Sequence, residues 1–141
     1  MTVATQILAP LVVLVTWSLI MWLWMYITRI PAIQASGMEM DSNLPNGEQM
    51  NMLPARVRWK ADNYNHLMEQ PTLFYAIVLA LAVLGEGSGL NLTLAWAYVG
   101  LRVAHSVFHA LVNKIEVRFV LFVLSNVPLI WLTINALRIV F

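Results

Sequence analysis

A polar run from Arg58 to Pro71 leads without a break into the apolar run Thr72 to Leu84. Drawn as a helix, Arg58, Asp62, Asn65 and Glu69 fall at i, i+4, i+7 and i+11 and share one face. In a helix that crosses a bilayer such a face cannot meet lipid, because an unpaired charge in hydrocarbon costs about 2.5–3.5 kcal/mol even on the most lenient scale. The chain must therefore supply a polar interior for this helix, and that requirement limits what its other segments can do.

The rest of the sequence makes a membrane setting hard to avoid. Of 141 residues, 60% are hydrophobic and only 11% charged, and the mean hydropathy is +0.73, outside the range of a soluble domain. The fold class expected is all-α, an integral membrane four-helix bundle. The length suits a single membrane domain over residues 1–141, with transmembrane helices at about 7–33, 56–84, 90–112 and 117–139. A net charge of +1 and the lack of any long basic run give no support to a nucleic-acid partner. The chain has no cysteine, which excludes a disulfide framework, a thiolate nucleophile of its own and cysteine-ligated metal. Any thiol chemistry must use a thiol carried in by a ligand, and no metal site is expected.

Ile7 to Ile30 is almost uninterrupted apolar sequence and would rise about 36 Å as a helix, enough to cross with some tilt. It is longer than the core of a signal peptide and has no basic stretch before it. Trp17, Trp22, Trp24 and Tyr26 are expected to face lipid or its interface, and Arg29 to serve as an interfacial anchor or an anion ligand. Gln34 to Pro54 reads as a loop around the turn dipeptide Asn46-Gly47. Its methionines, Met38, Met40, Met50 and Met52, suit a loop lying on the membrane or capping a cavity.

Pro71 predicts a kink just above Glu69, since it lacks an N–H and frees the carbonyl of Leu67. Gly85 to Gly89 is a tight turn between antiparallel helices. In the third apolar segment Tyr98, Arg102, His105 and His109 repeat the i, i+4, i+7, i+11 spacing and give a second polar stripe. Arg29, Arg56, Arg58, Lys60, Lys114 and Arg118 all flank the first and third loops. The positive-inside rule therefore puts those loops in the cytoplasm and both termini on the opposite side.

Helical rise sets Glu69 about 16 Å above Arg58, and Arg102 about 16 Å above Asn113, which predicts an ion pair between Glu69 and Arg102. Two readings of the polar layer stand at this point. Glu69, Arg102, His105 and Asn65 serve as hydrogen-bonding glue that fixes helix register, or they bind an anionic, peptide-like ligand. The surplus of arginine and histidine over carboxylate favours an anion, and Arg118 adds the positive N-terminal end of the fourth helix.

The run Asn65-His66-Leu67-Met68-Glu69-Gln70-Pro71, the motif Arg102-Val103-Ala104-His105 and the later Arg118 resemble the MAPEG family, membrane-associated proteins in eicosanoid and glutathione metabolism. The resemblance covers the second to fourth helices, and the first by position. It implies a homotrimer of four-helix subunits, with glutathione as co-substrate bound between neighbours near the cytoplasmic side and a hydrophobic small molecule entering from the membrane lipids. On this resemblance Glu69, His105 and Arg118 belong to the glutathione site, with Arg118 as the catalytic residue that stabilises the thiolate. Asn65, Arg102, Arg29 and Arg58 are further candidates for holding the peptide.

Departures accompany the likeness. In the prostaglandin E synthase branch a serine follows the matching arginine and a tyrosine stands three residues on, where this chain has Phe119 and Phe122. A tyrosine of the third helix becomes His109, and the arginine and asparagine ahead of the glutamate become Asn65 and His66. The resulting expectation is a bacterial-type, inner-membrane glutathione transferase or peroxidase acting on a hydrophobic electrophile or lipid hydroperoxide. The alternative is a non-catalytic lipid-binding or scaffolding protein of the same fold. A small multidrug exporter is disfavoured, since Ile7 to Ile30 carries no carboxylate.

Overall fold

A computed structural model describes residues 5–141. Helix α1 spans Leu8–Ser36, α2 Ala55–Glu69, α3 Pro71–Val83, α4 Gly89–Leu111 and α5 Ile115–Val140. Among the described residues three stretches are long and apolar enough to cross a membrane: Leu8–Ser36, the continuous Ala55–Val83, and Ile115–Val140. Helix α4 is not among them, because Asn91, Arg102, His105, Ser106 and His109 lie along it. All five of those polar side chains are buried, whereas Leu90, Trp96 and Leu111 of the same helix are exposed. The helix is thus inside-out relative to one in a soluble protein, as lipid demands.

α2 and α3 are one rod broken at Gln70, which keeps right-handed helical dihedrals of φ −68° and ψ −37°. The break falls where Pro71 removes a backbone donor. Local bonds repair it: the Thr72 hydroxyl donates to the Glu69 carbonyl at 2.7 Å, and the Leu73 amide donates to the Gln70 carbonyl at 3.1 Å. Side chains brace it as well. The buried Tyr98 hydroxyl donates to Gln70 Oε1, Gln70 Nε2 donates to Asn126 Oδ1 at 2.7 Å, and Asn126 Nδ2 donates to the Phe122 carbonyl at 2.8 Å.

α4 packs most extensively on α5, and α1 on α2. α3 packs against α5, but α2 makes at most marginal contact with it. The bundle is therefore closed on the side where α3 meets α5 and opens, towards the first and third loops, among α2, α4 and α5. Its apolar core includes Leu14, Met21, Leu67, Phe74, Val78, Leu81, Tyr98 and Leu132, with the Phe74 and Tyr98 rings stacked at 4.3 Å. At the closed end the Ile7 amide donates to the Gly87 carbonyl at 3.0 Å, and Asn135 Nδ2 donates to Asn91 Oδ1 at 2.7 Å.

The tryptophans divide. Trp22 is exposed, as expected of a lipid-facing residue. Trp17 and Trp24 are only partly so: Trp17 donates its ring N–H to Ser106 Oγ at 2.9 Å, and the Lys60 ammonium lies 5.3 Å from the Trp24 ring centre. Each ring joins α1 to a neighbouring helix.

Candidate functional site

The opening among α2, α4 and α5 holds a cavity of about 220 Å³ lined by His66, His105, Ile115, Arg118, Phe119 and Phe122. The turn between α4 and α5 positions its cation. Asn113 takes a left-handed conformation, φ 55°, and its amide donates to the Phe108 carbonyl at 2.8 Å, ending α4. Asparagine is among the few residues besides glycine that tolerate this conformation. Its side chain then holds the arginine, since Arg118 Nη1 donates to Asn113 Oδ1 at 2.6 Å. The Arg118 Nε–H is buried without a partner among the described residues. Arg118 lies in the first turn of α5, where the helix dipole adds positive potential.

Three imidazoles from α2 and α4 cluster here, of which His66 and His105 line the cavity and His109 is buried behind them. His66 stacks on His105 with ring centres 4.8 Å apart, and His109 lies 5.7 Å from His105 and 6.1 Å from His66. Phe122 closes the group from α5, 5.4 Å from His66, with the Arg102 guanidinium carbon 5.8 Å from its ring centre. Among the described residues no group of three or more His, Asp or Glu side chains is placed to hold a metal ion.

The expected pair of Glu69 with Arg102 is not formed. Arg102 Nη2 donates to His66 Nδ1 at 2.9 Å and approaches the His66 carbonyl at 3.5 Å. α4 thus meets α2 about one turn below Glu69, and Glu69 lies on the exposed face. The face of α2 turned into the bundle carries Asn63, His66, Leu67 and Gln70, and the stripe of Arg58, Asp62, Asn65 and Glu69 points outward. Two of the sequence-derived site residues, Arg118 and His105, therefore meet in the cavity. Arg102 is fully buried behind it, and Arg29 is half-buried near the end of α1 with its Nε lacking a partner among the described residues. Asn65, Glu69 and Arg58 are exposed on the outer face of the bundle. His66, which the family likeness marked only as a departure, and Asn113 are functional residues outside the set expected from the sequence. The spacing of Asn63, His66 and Gln70, i, i+3 and i+7, was the available signal.

The chemistry of this cavity is that of an anion receptor with apolar walls. It offers one guanidinium and two imidazoles, and none of the residues lining it is acidic. An all-helical, membrane-spanning bundle with a cationic cleft at one end defines the class of protein. The MAPEG family model matches residues 7–138, and the chain belongs to that family. No curated protein and no solved structure matches it.

Proposed function

We propose that the chain is a glutathione-dependent transferase or peroxidase, active as a homotrimer in a bacterial inner membrane, with its first and third loops in the cytoplasm. The observation that carries this reading is the cavity in which Arg118, on the first turn of α5, stands beside His66 and His105 with no carboxylate in the lining. A thiol at that spot ionises more readily because a cation and a helix N-terminus stabilise the thiolate. The thiolate then attacks a hydrophobic electrophile: a carbon–sulfur bond forms, the leaving group departs with its electron pair, and the thiol proton passes to water. Family membership supports the fold, and the thiol co-substrate is part of the present proposal.

Exposed polarity supports assembly with neighbouring subunits, and a trimer is what the resemblance to the family implies. Asp62, Asn65 and Glu69 are exposed on a helix that has the length and apolarity of a membrane span. Neighbouring subunits cover them, and in doing so bring Asn65, Glu69, Arg58 and Arg29 to the peptide. A second reading rests on Phe119, which is 66% exposed, and Phe122, both of which line the cavity. Such walls suit the acyl chain of a bound lipid in a non-catalytic protein. Calorimetric titration of the detergent-solubilised protein with glutathione separates the two: saturable binding is expected, and its absence leaves the lipid-binding reading.

A further inference from the structure

The contact between Arg102 and His66 has a chemical consequence beyond holding α4 against α2. A guanidinium carries hydrogen-bond donors only. The His66 Nδ1 that receives the Arg102 Nη2 at 2.9 Å must therefore present a lone pair. Its proton resides on Nε2, and the ring is neutral. Arg102 is fully buried and does not line the cavity, whereas His66 does. All of the arginine's side-chain hydrogen bonding runs through Nη2, which also faces the His66 carbonyl at 3.5 Å, while Nε and Nη1 are buried without a partner among the described residues and the guanidinium carbon lies over the Phe122 ring at 5.8 Å.

We propose that Arg102 is a positioning residue that locks His66 in its Nε2–H tautomer, so that this imidazole is a fixed hydrogen-bond donor to an anion lodged beside Arg118. An unconstrained histidine offers a donor or an acceptor from either ring nitrogen. Locked in this way, His66 cannot accept a proton from the ligand while the Arg102 bond lasts. It serves recognition, and with Arg118 it makes a two-point clamp across the cavity, one donor from α2 and one from α5. His105, stacked on His66 at 4.8 Å, keeps the ring plane from rotating. The tautomer lock stands on the geometry alone; the assignment of the anion to glutathione rests on the function proposed above.

The test exploits the small number of histidines, three in the chain. Long-range proton–nitrogen spectra of detergent-solubilised protein, labelled at the histidine ring nitrogens and without ligand, report each tautomer. His66→Phe identifies the His66 signals. We expect a single neutral Nε2–H form at His66 in the wild type, tautomer averaging in Arg102→Met, and restoration in Arg102→Lys, whose ammonium also donates. A proton on Nδ1 of wild-type His66, or an unchanged His66 spectrum in Arg102→Met, overturns the proposal. Should Arg102→Met fail to fold, the wild-type and Arg102→Lys spectra still decide it. Glutathione titrations form the second arm. His66→Phe and Arg102→Met should each weaken binding about tenfold, and the double variant by no more than either alone, as expected when both remove the same hydrogen bond. Weaker binding in Arg102→Met with the tautomer unaltered would mean that Arg102 acts directly, and overturns the positioning role. A wild type that has the lock but binds no glutathione refutes the proposed function and leaves the tautomer lock standing.

Discussion

Replacing Gln70 by leucine tests whether the side-chain bridge at the broken second rod holds the bundle in register. The substitution keeps the approximate volume and removes both ends of the bridge. Tyr98 is fully buried, so its hydroxyl, which donates to Gln70 Oε1, would be left without a partner at a cost of about 1–3 kcal/mol. The 2.7 Å bond from Gln70 Nε2 to Asn126 Oδ1 is only part-buried, and side-chain bonds in membrane bundles average about 0.6 kcal/mol. The total comes to about 2–3 kcal/mol. Tyr98→Phe removes the hydroxyl while leaving the ring stacked on Phe74. Combined with Gln70→Leu, it should therefore recover about 1 kcal/mol relative to the sum of the single changes. Reversible unfolding of the micellar protein by titration with a denaturing detergent, followed by circular dichroism, measures the cycle. A loss below about 0.5 kcal/mol for Gln70→Leu, or strictly additive losses, would refute the argument that this bridge bears on the fold.

Further outcomes follow from the same geometry. Light scattering in mild detergent should return three times the subunit mass of 16.0 kDa, and a monomeric mass would remove the cover proposed for Asp62, Asn65 and Glu69. Arg118→Ala should raise the pKa of bound glutathione, because the lost cation favoured the charged thiolate; thiolate absorbance against pH would then shift to higher pH, and an unmoved titration would deprive Arg118 of its role. Asn113→Ala should destabilise by about 1–2 kcal/mol through its left-handed backbone, whereas Asn113→Gly should leave thermal stability near wild type and loosen glutathione binding by freeing Arg118. Phe74→Ala should cost about 3–5 kcal/mol in the same detergent titration, since the ring is fully buried between Tyr75 and Tyr98.

Much of this protein is legible in its sequence, for reasons that can be traced to particular residues. Apolar runs long enough to cross a bilayer leave the backbone no alternative to helix, because lipid offers it no hydrogen bonds. Pro71 marks the break between α2 and α3, since a missing N–H acts locally wherever the chain goes. The burial of Arg102 and His105 follows from the cost of charge and polarity in lipid, and the Arg102, His105 and Arg118 spacing pointed to the family. What the sequence could not decide was which polar face of α2 looks inward. Asp62, Asn65 and Glu69 form the more charged stripe, and a single-chain argument turns the strongest polarity towards the core. In the fold Asn63, His66 and Gln70 take that place; a chain in a membrane can hide polarity within itself or against another molecule, and helical spacing is blind to the difference. Arg102 accordingly found the imidazole of His66 where a carboxylate was expected, and only the packing of α4 against α2, about one turn lower than counting residues allowed, made that choice.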